Sequence, residues 1–299
     1  MSGAFTRAFL ADGSARRLAG ARIAFYGALL VQLAWYDVAA FATLPAALWR
    51  PPLLLHVLPA PTPGAFLVAE GALAVALVLA IVGCFTRVAT IAVAVLATLV
   101  LGAVSGYGRA DFHHTPIVLI TWALALAPSG DAWSLDARRR GPPSGRLPAD
   151  YTWPLRLAQA CLVAQMASAG VNKVLGSWLQ DPATAMRSFL LYKYYAQSGE
   201  KAIQLPGWVL DLAAQRPLLA VMAVGVMCME CASPLALVPR WHRLRFVVIG
   251  GLFGMQFVLA FFLSTLSTYP WLGAYAVWIP WDRIRRAPRA ASLPDPRVA

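Results

Sequence analysis

Few side chains in this 299-residue chain can carry chemistry, and most of them lie inside long apolar stretches. They are Lys173, Glu230, the pair His113–His114, Asp37 and Glu70, with Cys228 and Cys231 flanking the acid in Cys228-Met229-Glu230-Cys231. An ionisable group in a membrane span is costly, roughly 2.5–3.5 kcal/mol at the centre on insertion scales, so each is a functional candidate by default. An amine kept from water favours its uncharged form, which makes Lys173 a candidate general base. Gln159, Met166 and Lys173 are seven apart and share a helix face. Gly170 lies beside that face, where a neighbouring helix or a flat ligand can come close. A histidine nearby would orient or polarise a substrate oxygen, the role open to His114.

Each residue also has a plainer use. A lysine at a span end can snorkel to the interface. His113 and His114 would point about 100° apart on a helix, and no third ligand is close in sequence, so no metal is expected. The Cys-x-x-Cys spacing resembles redox helices, yet small residues also let helices pack. Glu230 is expected toward the basic-loop end of its span, paired with an arginine of the following loop. Asp37 and Glu70 are open between pairing with Arg109 or Lys173 and a proton-relay or transport role.

The elements that must position these residues follow from composition. Hydrophobic residues make up 60% and charged residues 13%, and mean hydropathy is +0.64. Soluble domains carry about 25% charged residues, so lipid must solvate much of this chain. The apolar runs are continuous rather than alternating, which favours helices over a barrel. The expected fold is an all-α polytopic bundle of about eight spans. They lie near Ile23–Leu44, Gly64–Val82, Val88–Val104, Thr115–Ala127, Pro154–Leu175, Pro217–Val238, Phe246–Leu263 and Trp271–Trp281. Residues 1–21 read as a cytoplasmic segment leading into a retained signal anchor, 22–286 as one transmembrane domain, and 287–299 as a disordered tail.

The net charge of +12 reads as topology rather than nucleic-acid binding, because the arginines fall between apolar runs and form no recognition helix. With an even number of spans, Arg16 and Arg17, Arg87, Arg138–Arg140, Arg240, Arg243 and Arg245 all share one face with the tail. That asymmetry places both termini in the cytoplasm of a cell-membrane protein, with Lys173 toward the outer face. Between the fifth and sixth spans, Pro182–Gly199 carries Met186, Phe189, Leu190, Tyr192, Tyr194 and Tyr195 among polar residues. This pattern reads as an outer interfacial amphipathic helix, serving as an aromatic anchor or as a gate for a lipid-soluble substrate.

Several motifs together resemble a known family. They are His113-His114 opening a span, Asp131-Ala132-Trp133-Ser134-Leu135-Asp136, Tyr151-Thr152-Trp153-Pro154, and Ala169-Gly170-Val171-Asn172-Lys173 with Trp178 downstream, then Glu230 ahead of a basic turn. Their order is similar to the HTTM (horizontally transferred transmembrane) module of vitamin K-dependent γ-glutamyl carboxylase and its bacterial relatives, over about residues 22–286. The resemblance implies that Lys173 deprotonates a vitamin K hydroquinone or menaquinol, with His114 in support. Oxygen then converts the anion into a strong base and the quinone ends as its epoxide, while carbon dioxide adds to the deprotonated substrate. The residues expected around the quinone or substrate are His113, Asn172, Gly170, Trp178, Tyr192, Tyr195 and Gln159. The expected partners are membrane lipid and quinone, with a small molecule or short peptide as substrate. One departure is Gly254-Met255-Gln256, where many members carry a histidine. Two other readings stand beside it: a quinone-linked oxidoreductase using Cys228 and Cys231, and a non-enzymatic lipid binder or solute carrier using Asp37, Glu70 and Glu230.

Overall fold

The computed structural model describes residues 13–35, 39–50, 55, 57–107, 114–141, 145–195, 205–238, 242–262 and 269–284. Those residues are helical or irregular, with no strand among them. Five helical segments are long and apolar enough to cross a membrane: Ala15–Trp35, Pro63–Val82, Thr86–Gly106, Arg216–Leu237 and Arg243–Phe261.

In chain order the helices are α1 (Ala15–Trp35), α2 (Pro63–Val82), α3 (Thr86–Gly106), α4 (His114–Leu126), α5 (Leu135–Arg140) and α6 (Pro148–Leu175). They continue with α7 (Pro182–Tyr195), α8 (Trp208–Ala214), α9 (Arg216–Ala232), α10 (His242–Phe261) and α11 (Tyr269–Ala274). Expected and observed spans agree closely for α2, α3 and α9. The first differs: its helix starts at Ala15 rather than near Ile23, and Leu18, Ala19 and Ala21 are in the core. Three arginines do not stop it, because Arg22 is buried and donates from Nη2 to the Trp133 carbonyl at 2.8 Å.

Two of the remaining runs are short. Helix α4 has 13 residues, about 20 Å at 1.5 Å per residue, against a hydrocarbon core of about 30 Å. The last run forms only α11 and a 3₁₀ turn, Tyr275–Trp278. Its aromatic residues fill the core, with Trp271 wholly buried, and α11 packs along α1. Helix α6 has the opposite character, 28 residues long but too polar to rank with the five, since it carries Arg156, Gln159, Asn172 and Lys173.

The main core lies between α1, α2, α3, α4, α6 and the α10–α11 region. A smaller apolar cluster gathers Ala183, Met186 and Leu190 of α7 with Leu205, Val209 of α8, and Leu219 and Ala223 of α9. The three α7 positions recur at helical spacing, so one stripe of α7 is covered while Tyr192 and Tyr195 stay exposed.

A polar clamp fixes one end of the bundle. Gly83 ends α2 at φ 75°, where a side chain would also strike Ser134; only glycine suits such a turn. The Asp136 carboxylate accepts from the Phe85 N–H at 3.2 Å, the Thr86 N–H at 2.6 Å and the Thr86 hydroxyl at 2.8 Å. An acid thus caps the N-terminus of α3, where the helix dipole favours negative charge. Ser134 in turn caps α5 through the Ala137 N–H. Burial pushes the Asp136 carboxyl up, but the Thr86 and Phe85 hydrogen bonds and the charge of Arg140 together outweigh it and hold the group below its ordinary value.

A native value below the unfolded one means that the stabilisation is present above the ordinary aspartate range, about 3.9, and is lost as pH falls through the lowered native value. Asp136→Asn is therefore expected to lower thermal stability at pH 7, on the order of 2 kcal/mol, and the gap to the parent protein should narrow in acid. Melting curves of both proteins in detergent at pH 7 and pH 3 check this.

Candidate functional site

Helix α6 carries the candidate site near its far end. Tyr151, in its first turn, donates to Asp131 beside the clamp at 2.9 Å. Lys173 lies 22 residues further on, about 33 Å along the axis. Between them one face of α6 is polar and buried. Arg156 donates to the Gln159 side-chain oxygen at 3.1 Å, and Gln159 donates to the Val277 carbonyl at 3.2 Å. The Met166 sulfur accepts from Gln256 at 3.7 Å.

At the end of this face the Lys173 Nζ lies 2.6 Å from each oxygen of Glu230. The acid side chain is 6% exposed and the lysine 22%. This corrects the expectation that Glu230 pairs with an arginine of the following loop, toward the opposite end from Lys173. Glu230 is two residues from the end of α9, and the chain continues along α6 through the 3₁₀ turn Ser233–Leu237, where the Ser233 hydroxyl donates to the Val163 carbonyl at 3.2 Å. The acid therefore meets α6 within the bundle, well before the basic loop.

Gly170 makes the contact possible. A Cβ there would lie 2.8 Å from the Cys231 backbone nitrogen and 2.9 Å from the Glu230 Cβ, so a larger residue would part the two helices. Trp178, in the single turn Ser177–Gln180 after α6, adjoins the site, its ring centroid 5.4 Å from Nζ. A cation at that range over an indole is attracted to the ring. Trp178 also lines a cavity of about 420 Å³ between this turn and α7, with Phe189 and Tyr192 and the polar Asp181, Thr184 and Ser188.

The structure thus gathers Lys173, Gly170, Glu230 and Trp178, with Tyr192 lining the cavity that Trp178 shares. His114 opens α4 and is 3% exposed, but the polar contacts of Lys173 run to Glu230 and Trp178 and not to it. Asn172 and Tyr195 face outward. Gln159 is two α6 positions of the seven-residue repeat away from Lys173, about 21 Å. Glu70 is half-buried in α2; His113 and Asp37 lie outside the described residues. Cys228 and Cys231 are reduced and exposed. Asp181 and Phe189 were not expected at the site; Asp181 sits just before α7, three residues after Trp178, and Phe189 is half-buried within α7.

Comparison with protein-family models, with curated proteins and with solved structures finds nothing that matches this chain.

Lys173→Met leaves a buried carboxylate without its cation, and is expected to destabilise by roughly 3 kcal/mol or more. Changing Glu230 to Met as well removes the orphaned charge, so the double variant should regain most of the loss. Thermal unfolding of the single and double variants measures the coupling; simple additivity would mean that the two side chains do not pair.

Proposed function

We propose that the chain is a cell-membrane enzyme, both termini cytoplasmic, in which Lys173 and Glu230 move a proton from a lipid-soluble hydroxyl compound such as a hydroquinone. The orientation rests on the gathering of arginines in alternate loops. The proton chemistry rests on one observation, the 2.6 Å pairing of both Glu230 oxygens with the Lys173 amine.

A buried ion pair is a costly arrangement, because desolvation of two charges offsets their attraction. Passing one proton from the Lys173 ammonium to the Glu230 carboxylate gives an amine and a carboxylic acid, and neither is charged. The low dielectric that penalises the ionic form eases this transfer. The free amine then takes the proton of the substrate hydroxyl and becomes ammonium again, leaving the substrate as an anion beside it. Glu230 holds the first proton until it leaves the site. Gly170 keeps the pair in register, and the Trp178 ring offers a flat apolar surface to an aromatic substrate.

The donor set suits a vitamin K hydroquinone or menaquinol, as the family resemblance implies: a base, a proton acceptor and an indole, at the edge of an apolar bundle. When bound, the quinol would supply the electrons for reduction of oxygen and so for the carbon–hydrogen chemistry that precedes carbon dioxide addition. His114 supports this reading only through its place in the motif order. Helix α7, with Tyr192 and Tyr195 exposed, would lie along the outer interface as the route from lipid.

Lys173→Arg separates chemistry from folding, since arginine keeps the charge and the pairing but does not give up its proton. In nanodiscs the variant is expected to melt near the parent protein while hydroquinone-dependent epoxide formation falls by about 10²–10⁴. Epoxide formation at the parental rate in Lys173→Arg would reject the assignment.

A further inference from the structure

The cavity beside Trp178 has a chemistry of its own. Three aromatic rings, Trp178, Phe189 and Tyr192, line it together with one carboxylate, Asp181. Ser188 and Thr184 supply hydroxyls at the edge. Aromatic faces around a single carboxylate are the arrangement that attracts an organic cation, because each ring face is negative and the acid supplies the counter-charge. Trp178 already serves this way toward Lys173, whose ammonium lies 5.4 Å from its centroid.

We propose that this cavity binds an organic ammonium group, of the choline or ethanolamine class. Three observations carry the charge preference. Asp181 stays ionised: hydrogen bonds from Thr184 lower its proton affinity, and the Thr184 N–H lies 3.1 Å from Oδ1. The nearest competing cation, Arg216, reaches Asp181 Oδ2 only at 3.4 Å, with both side chains more than half exposed, and exposed pairs of that kind are weak. Lys173, which also approaches the Trp178 ring, has its charge balanced by Glu230. A volume of about 420 Å³ accommodates a trimethylammonium group with its short chain. Such a group belongs equally to a free amine and to a zwitterionic lipid headgroup. The site does not depend on quinol chemistry: neither Lys173 nor Glu230 lines the cavity.

The test uses the full chain in phosphatidylglycerol nanodiscs, titrated calorimetrically with choline chloride at constant ionic strength and with the uncharged carbon isostere 3,3-dimethyl-1-butanol. Choline is expected to bind at least about fivefold more tightly than the isostere. Tyr192→Leu and Asp181→Asn should each weaken choline by a similar factor; asparagine still caps α7, so melting temperature should hold. Equal binding of choline and its isostere, or unaltered choline binding in both variants, overturns the proposal. Repeating the titration in phosphatidylcholine nanodiscs tells the sources apart: loss of choline binding there identifies the lipid headgroup as occupant, and unchanged binding identifies a free ammonium compound. Because hydroquinone turnover is not measured, failure here leaves the quinol reading standing, and the reverse.

Discussion

An ammonium and a carboxylate facing each other where water is scarce set the terms for this bundle. Lys173 and Glu230 come from helices 57 positions apart in sequence, and each would be prohibitive alone in that place. Their pairing demands close approach of α6 and α9, which demands a residue without a side chain at 170, where Cys231 and the Glu230 Cβ press against it. Replacing the pair by two apolar residues would hold the helices together as well or better. A lysine and a glutamate at 2.6 Å can exchange a proton, which is what the proposed function asks of them.

The opposite end of α6 is built on different physics. There the Asp136 carboxylate is fully occupied by the amides and hydroxyl that begin α3, Arg22 is buried against the Trp133 carbonyl, and Tyr151 ties α6 to Asp131. Phe85 and Trp133, both at positive φ without being glycine, mark strained backbone held by its surroundings. These contacts hold elements in place, and none leaves a reactive group facing a cavity. The two ends divide the work, one fixing the helices and the other presenting an amine.

The sequence made part of this legible. Periodicity alone placed Gln159, Met166 and Lys173 on one face, and all three turn inward or toward α9. Small size at Gly170 pointed to close approach, and the neighbour proves to be α9. The all-helical architecture followed from continuous apolar runs, with five segments of spanning length. The partner of Glu230 was out of reach, because nothing local reports the offset between two helices joined by a long connection; the following arginines looked nearer only along the chain. Counting apolar residues also overstated the last run, since Trp271 and Tyr275 are as apolar in a core as in lipid. Asp136 stood out as part of a motif, but its role as the cap of a helix 50 residues earlier depends on tertiary contact.

The most direct test follows the Glu230 carboxyl group by infrared difference spectroscopy as hydroquinone is added without oxygen. Proton exchange within the pair predicts that a protonated-carboxyl band rises on addition, shifts in heavy water and is missing from Glu230→Gln. A carboxylate signal that stays unchanged while hydroquinone binds beside Lys173 would contradict the account.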